Sequence, residues 1–153
     1  MRRLRGKLIQ PFLREQALRK TDLVAPLFVD ETTQARRPIT SMPSQFRYPP
    51  KEIGDTCQRL WDKGIRAVLL FGIPGEKDGD ASAAYDPGGV VQRAIGTIKK
   101  QVPGMLVITD VCACEYTDHG HCGIVGTTRC GTDLLNDPSL DLMDRIAISH
   151  AQS

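Results

Sequence analysis

Ala67-Val-Leu-Leu-Phe-Gly-Ile73 is a continuous apolar run, and two runs of the same kind flank it along the chain. Leu23-Val-Ala-Pro-Leu-Phe-Val29 precedes it, and Met105-Leu-Val-Ile-Thr-Asp-Val111 follows it. Continuous rather than alternating apolarity is typical of strands that are buried on both faces, as in parallel sheets. The three runs therefore predict three parallel strands.

Helical patterns lie between and after these strands. The first is an amphipathic pattern from Ile53 to Trp61, with Gly64 as its C-cap. The second begins with the capping signal Asp86-Pro87 and has an apolar face formed by Val90, Val91, Ala94, Ile95 and Ile98. Asp137-Pro138 repeats that signal before a third helix that runs towards Ser153. The order of strand and helix, three times over, predicts an α/β fold.

Three strands are too few to complete such a fold. A doubly wound sheet uses about five or six strands, and a (β/α)8 barrel takes about 250 residues. Residues 21–153, with about three β/α units, are therefore too short for either fold, and we expect them to be part of a longer protein. The loops at 31–50 and 74–89 are long enough to carry function.

The first 20 residues form a basic N-terminal arm, with seven Lys and Arg against Glu15 alone. Such an arm could neutralise nucleic-acid phosphates, but only Phe12 interrupts it, so no base-stacking surface is visible and a solvated or subunit-binding arm is favoured. No apolar stretch approaches the roughly 20 residues of a membrane span, and no signal-peptide core follows the basic start. The expectation is a cytoplasmic protein with neither a nucleic-acid nor a membrane partner.

Asp110-Val-Cys-Ala-Cys-Glu-Tyr-Thr-Asp-His-Gly-His-Cys-Gly123 is the segment that predicts chemistry. It places Cys112, Cys114 and Cys122 in a C-x-C-x7-C array directly after a predicted strand. Thiolates are preferred zinc ligands, and three of them leave a fourth position for a substrate or another ligand. The polar residues between the cysteines argue against a dry core. The segment therefore predicts a Zn²⁺ site.

The fourth zinc ligand decides between a structural and a catalytic site. His119 or His121 could close a structural site, although dual ligation by the neighbours His121 and Cys122 is awkward. Asp110 ends the third run, where parallel α/β enzymes build active sites, but it could equally cap a loop. Phe71 ends the second run, and core packing is its simplest role. His150 is expected to cap the last helix or to face solvent.

Taken in order, six segments resemble the porphobilinogen synthase family, also called delta-aminolevulinic acid dehydratase, in its zinc and cysteine branch. They are Arg2-Arg-Leu-Arg5, Asp22-Leu-Val-Ala-Pro-Leu-Phe-Val29, Leu70-Phe-Gly-Ile-Pro74, Ala84-Tyr-Asp-Pro87, the cysteine segment and Asn136-Asp-Pro-Ser-Leu140. The resemblance implies a (β/α)8 (TIM) barrel, of which the N-terminal half is present here. It also implies a lyase that condenses two molecules of 5-aminolevulinate to porphobilinogen, with loss of water, in tetrapyrrole and haem biosynthesis.

The resemblance also implies roles for individual residues. Cys112, Cys114 and Cys122 match the zinc ligands, and Asp110 matches a residue that supports proton transfer or electrostatics. Phe71 matches an active-site wall residue, and His121 matches a ligand of an additional metal in some members. The basic arm corresponds to a segment that wraps a neighbouring subunit of a homo-oligomer, commonly an octamer. Zn²⁺ is the implied cofactor, and Mg²⁺ is admitted as a second metal of the full-length enzyme.

One departure from the family changes the expectation for this chain. Both Schiff-base lysines of the family belong to later strands, beyond Ser153, and Lys63, Lys77, Lys99 and Lys100 lie at predicted helix ends or in loops. We therefore expect the isolated chain to be inactive, and its unpaired strand edges to promote association. Two alternatives stay open: a non-enzymatic zinc-binding or interaction module, and a redox protein that uses Cys112 and Cys114.

Overall fold

The computed structural model describes residues 6–128 and 131–153. Arg2, Arg3 and Arg5 of the predicted arm, and Cys130, lie outside the described residues. The strands and helices follow in this order: β1 (Val24–Asp30), β2 (Arg37–Pro38), β3 (Phe46–Tyr48), α1 (Ile53–Asp62), β4 (Ala67–Ile73), α2 (Ser82–Tyr85), α3 (Val90–Gln101), β5 (Leu106–Thr109), β6 (Ile124–Thr128), β7 (Gly131–Leu135) and α4 (Asn136–Ala151). Short 3₁₀ turns precede β1 and α1.

The three predicted strands pair side by side in one sheet, in the order β2-β3-β1-β4-β5. β1 is parallel to β4 over seven residue pairs from Val24↔Ala67 to Asp30↔Ile73, and β4 is parallel to β5. This confirms the parallel α/β prediction. The carboxyl ends of β1, β4 and β5 consequently meet at one edge of the sheet, where barrel enzymes place their functional residues.

Only one face of this sheet is packed, which corrects the prediction that the strands are buried on both faces. α1 and α3 cover the face that carries Val29 and Leu70, both 0% exposed. On the opposite face, Phe28 and Phe71 are half-buried, and Ile108 is 39% exposed. The reason is that a five-stranded open sheet does not close on itself, so the face that a closed barrel turns inward has no opposing strands.

The three predicted helices are present, but two of them begin at other residues than predicted. α1 ends as expected, with Gly64 at a φ of +92° and its N–H bonded to the Trp61 carbonyl. α3 begins only at Val90, after Gly89, because the Asp86 carboxylate accepts the Gly88 N–H in a local turn instead of capping the helix. α4 begins at Asn136, one residue before the predicted cap.

Two pairs of strands were not predicted from the sequence. β2 and β3 form within the long segment 31–50, where β3 extends the sheet beside β1. β6 and β7 form an antiparallel pair directly after the cysteine segment. Their burial is incomplete, so neither pair has the continuous apolarity that identified the central strands. β7 runs directly into α4 and so ties the cysteine segment to that helix.

The described part of the arm, residues 6–20, is exposed throughout. Its apolar side chains include Leu8, 91% exposed, and Phe12, 88% exposed. Bare apolar side chains of this size favour contact with another surface. Among the described residues, none of the helices has the length and apolarity needed to cross a membrane.

Candidate metal centre at the carboxyl end of β5

The three cysteines of the C-x-C-x7-C array converge just beyond β5. The Cys112 Sγ lies 3.1 Å from the Cys114 Sγ and 3.0 Å from the Cys122 Sγ. The second contact joins residues 10 positions apart, so the intervening chain must fold back on itself. The structure therefore brings together the three residues that the sequence singled out as metal ligands.

Backbone hydrogen bonds fold this cysteine loop, defined as residues 112–122. The Ala113 carbonyl accepts the N–H groups of Tyr116 and Thr117 at 2.8 and 2.9 Å, which turns the chain immediately after the first two cysteines. The Thr117 hydroxyl donates to the His121 carbonyl at 2.9 Å, and the Ala113 N–H donates to the Cys122 Sγ at 3.2 Å. Gly120, with a φ of +74°, supplies the left-handed residue of the return. Hydrogen bonds among its own residues therefore hold the loop closed.

The three thiols suit a thiophilic metal, although their sulfurs lie closer together than the sulfur ligands of a zinc ion do. Zinc with Zn–S bonds of about 2.3 Å separates tetrahedral ligands by about 3.8 Å, so the sulfurs must move apart by about 0.7 Å. Across residues 6–128 and 131–153, no group of three or more His, Cys, Asp and Glu side chains already has the arrangement of a metal-ligand sphere. The sulfurs occupy the hydrogen-bonded geometry of thiols, and metal binding must replace their protons.

The surroundings of the cysteines favour the neutral forms of the acidic groups in the loop. Burial, together with hydrogen bonds to Cys122 and Cys114, raises the pKa of the Cys112 thiol to about 12. Burial and the nearby Asp110 carboxylate raise the pKa of Glu115, against a smaller lowering effect of Lys77. Burial also raises the pKa of Tyr116. A bound dication would stabilise the ionised forms of these acidic groups.

Asp110 and Phe71 occupy the carboxyl ends of neighbouring strands. The Asp110 N–H donates to the Leu70 carbonyl at 3.2 Å, which continues the pairing of β4 and β5 by one residue. Asp110 therefore follows the strand directly and lies two residues before Cys112. The Phe71 ring stacks on Phe28 with a centroid distance of 5.1 Å, on the open face of the sheet. Phe71 thus lies beside Phe28 on the open face of the sheet.

The histidines of the cysteine loop contact each other. The His121 N–H donates to the His119 Nδ1 at 3.1 Å, and the two rings stack with centroids 5.6 Å apart. The His119 Nε2 is buried without a hydrogen-bond partner, whereas His121 is exposed. The exposed His121 is accessible to a further ligand, and His119 orients the backbone that leads to it.

The prediction for His150 is wrong. Its side chain is buried, 7% exposed, and its Nδ1 lies 3.1 Å from the Thr109 hydroxyl at the end of β5. Burial lowers the pKa of His150 against weaker opposing effects of the Ala84 carbonyl and Asp110. Position near the end of a helix does not predict exposure here, because α4 packs against α2 and α3 and places His150 beside the end of β5.

Sequence reasoning also missed Asp78, in the loop between β4 and α2. The segment Lys77-Asp-Gly-Asp80 lacks the regular acidic ladder and the terminal Glu of a calcium loop, so it carries no metal-binding motif. In the structure Asp78 forms a parallel β-bridge with Thr117 of the cysteine loop. The available signal was the spacing of Asp78 and Ser82, four residues apart, because such a pair readily forms a side-chain-capped turn.

These features define a class: an incomplete parallel β/α barrel with a cysteine cluster at the carboxyl ends of its strands. The delta-aminolevulinic acid dehydratase family model matches residues 1–153. The chain belongs to that family, which confirms the resemblance noted in its sequence.

Individual relatives agree with this assignment. Delta-aminolevulinic acid dehydratase of Methanothermus sociabilis is 43% identical over 154 residues, covering 100% of this chain and 47% of the relative. The protein of the same name from Ruminiclostridium josui is 39% identical, covering 99% of this chain and 73% of the relative.

A solved structure gives the same result for the fold. The porphobilinogen synthase of Toxoplasma gondii, in complex with the reaction product porphobilinogen, superposes with a TM-score of 0.89 at 27% identity. The superposition covers 99% of this chain and 43% of that chain. This chain spans about half the length of most of the curated relatives that it matches. Its architecture is that of the N-terminal part of a porphobilinogen synthase barrel.

Proposed function

We propose that this chain supplies the metal-binding half of a porphobilinogen synthase, which condenses two 5-aminolevulinate molecules to porphobilinogen with loss of two waters. The observation that carries the proposal is the convergence of the Cys114 and Cys122 sulfurs to within 3.1 Å of the Cys112 sulfur, directly after β5. A structural zinc site is normally closed by four protein ligands. Three converging thiols beside an active-site edge are better suited to binding a metal with one position left for a substrate.

The residues of this half would bind and orient the substrate. Cys112, Cys114 and Cys122 would hold Zn²⁺, which when bound would act as a Lewis acid and as an anchor for a substrate amino or carbonyl group. Asp110, two residues from Cys112, would bias proton transfer through its negative charge. The stacked rings of Phe71 and Phe28 would form an apolar wall that excludes water from the reacting groups.

We further propose that the isolated chain does not complete the reaction. A Schiff base requires a lysine in a desolvated site, where its neutral amine is accessible. No strand in the described ranges 6–128 and 131–153 carries a lysine. Lys99 instead donates to the Met105 carbonyl at 3.1 Å, and Lys63 terminates α1. The covalent step would thus require residues from the other half of a barrel.

The test combines metal binding with complementation. We expect the purified chain to bind one Zn²⁺, and Cys112→Ser to abolish that binding, while Cys57→Ser leaves it intact because Cys57 lies in the core. We expect no porphobilinogen from the chain and 5-aminolevulinate alone. Co-expression with the C-terminal half of the Archaeoglobus fulgidus relative, 42% identical over the shared half, is expected to restore formation of the pyrrole. Pyrrole formation by the chain alone, or zinc binding that persists in Cys112→Ser, would contradict the proposal.

A zinc-binding module without catalysis is the second candidate, because the described strands carry no lysine. It differs from the first in the fourth ligand, for which the buried and unpartnered His119 Nε2 is available. A cobalt-substituted chain would distinguish the two. A spectrum that responds to added 5-aminolevulinate favours the substrate site, whereas a spectrum that is unresponsive in the wild type and altered by His119→Ala favours a closed structural site.

A further inference from the structure

A segment outside the cysteine loop holds that loop in place. Asp78 lies between β4 and α2, and its backbone pairs with the cysteine loop on both sides of Thr117. The Asp78 N–H donates to the Tyr116 carbonyl at 3.2 Å, and the Asp118 N–H donates to the Asp78 carbonyl at 3.2 Å. We refer to this pair of hydrogen bonds as the clasp. It joins the carboxyl-terminal loops of two adjacent strands.

The clasp acts at the centre of the closed cysteine loop. Thr117, 1% exposed, is bonded through its backbone to Ala113 and through its hydroxyl to His121. Ala113 separates the first two cysteines, and His121 precedes the third. Fixing Thr117 therefore fixes both ends of the sulfur cluster relative to each other.

The Asp78 carboxylate rigidifies the other side of the clasp. Its Oδ1 accepts the N–H groups of Asp80 and Ser82 at 3.0 and 2.9 Å, and its Oδ2 accepts the Ser82 hydroxyl. Within this turn Ala81 has a φ of +50° and is completely buried. A non-glycine residue keeps such a conformation only where its surroundings hold it. The carboxylate is the group that makes this tight turn, and hence the position of the Asp78 backbone, well defined.

We propose that Asp78 is a positioning residue for the metal centre: its carboxylate sets the turn at 78–82, and the clasp transmits that order to Cys112, Cys114 and Cys122. The inference rests on the proposed metal-binding function and goes beyond it, since Asp78 contributes no ligand. Residues that orient metal ligands through hydrogen bonds change affinity by about 10- to 100-fold when they are removed. Loss of the clasp is expected to weaken zinc binding by a factor in that range.

Four variants of the full 153-residue chain test this inference. Asp78→Ala removes the carboxylate, Asp78→Asn keeps the Oδ1 acceptor without the charge, and Ser82→Ala removes one donor. Asp80→Ala is the matched control, because Asp80 enters the network only through its backbone N–H. Zinc affinity is measured by competition with a chromophoric chelator, and hydrogen exchange is followed at the amides of Asp78 and Asp118.

Asp78→Ala is expected to weaken zinc binding by about 10- to 100-fold and to accelerate exchange at both amides. Asp78→Asn should restore most of the affinity, Ser82→Ala should give an intermediate loss, and Asp80→Ala should match the wild type. The cobalt spectrum of Asp78→Ala should keep its wild-type shape, because the three thiol ligands remain. If Asp78→Ala does not fold, the zinc affinities of the other two variants decide: Asp78→Asn should bind zinc more tightly than Ser82→Ala.

The inference is overturned if Asp78→Ala folds and binds zinc as tightly as the wild type, or if Asp80→Ala produces an equal loss. A wild-type chain that binds no zinc would refute the proposed function instead. The exchange rates would then test only whether the Asp78 carboxylate orders the clasp, because acceleration at the Asp118 amide in Asp78→Ala does not depend on a metal.

Discussion

Gly72 lies where β4 meets both the helix layer and the cysteine loop, so adding one methyl group there should perturb both. A Cβ at Gly72 would lie 2.2 Å from the Tyr116 Oη, 2.6 Å from the Val91 Cγ2 and 3.0 Å from the Val90 Cγ1. All three neighbours are buried, and Tyr116 is only 4% exposed. Gly72→Ala must therefore displace buried side chains.

Overpacking of this kind costs about 1–3 kcal/mol. For a chain of this size each kcal/mol lowers the unfolding midpoint by about 2–4 °C, so Gly72→Ala should unfold about 2–12 °C below the wild type. Because Tyr116 belongs to the cysteine loop, zinc affinity should also fall. The assay is thermal and urea unfolding followed by circular dichroism, together with a zinc titration of each protein.

The matched control is Gly96→Ala on the exposed side of α3, where an added Cβ meets nothing within 4 Å. That change should stabilise the chain by about 0.5–1 kcal/mol, because alanine has the higher helix propensity. Combining Gly72→Ala with Tyr116→Phe removes the nearest atom and should recover part of the loss. The reasoning fails if Gly72→Ala is as stable as the wild type, or if the double variant is no better than Gly72→Ala.

Burial raises the pKa of Cys57 to about 12, so its thiol should resist alkylation at pH 8 in the folded chain and react after unfolding, as mass spectrometry would reveal. Equal labelling in both states would contradict its buried position. Burial lowers the pKa of His150 below its ordinary value of 6.5, so the unfolded chain binds the proton more readily. The free energy of unfolding should therefore fall as the pH drops below about 6.5. His150→Gln should reduce the slope of the free energy of unfolding against pH in that range, and an unchanged slope would contradict this role of His150. Ile108, 39% exposed on the edge strand β5, should promote self-association. Ile108→Lys should lower the average mass measured by sedimentation at high concentration, whereas Lys100→Glu on α3 should not.

Local patterns predicted the central elements because their burial is continuous along the chain. The run from Ala67 to Ile73 became β4 over the same residues, and the periodic segment after Ile53 became α1. β3 escaped prediction because a three-residue strand carries too few side chains to establish a period. The start of α3 was misplaced because Asp86 can cap either a helix or a turn, and only the surrounding chain selects between them.

The three cysteines that converge at the candidate site were also readable from the sequence, since donor chemistry and spacing are local properties. The closure of the cysteine loop was not readable from the sequence. Thr117 joins Ala113 and His121 through hydrogen bonds that any of several polar residues in the segment could have made. The pairing of Asp78 with this segment crosses from one strand end to the next, and no period or motif connects positions 78 and 117.

The sequence by itself determined the parallel α/β class, the order of the main elements, the spacing of the three candidate thiol ligands and the family. These properties depend on side-chain chemistry and short-range spacing. Only the tertiary structure decided that one face of the sheet is open, that His150 is buried and that Asp78 holds the cysteine loop. Each of these depends on which distant segments pack together, and packing is decided by the free energy of the whole chain rather than by any single segment.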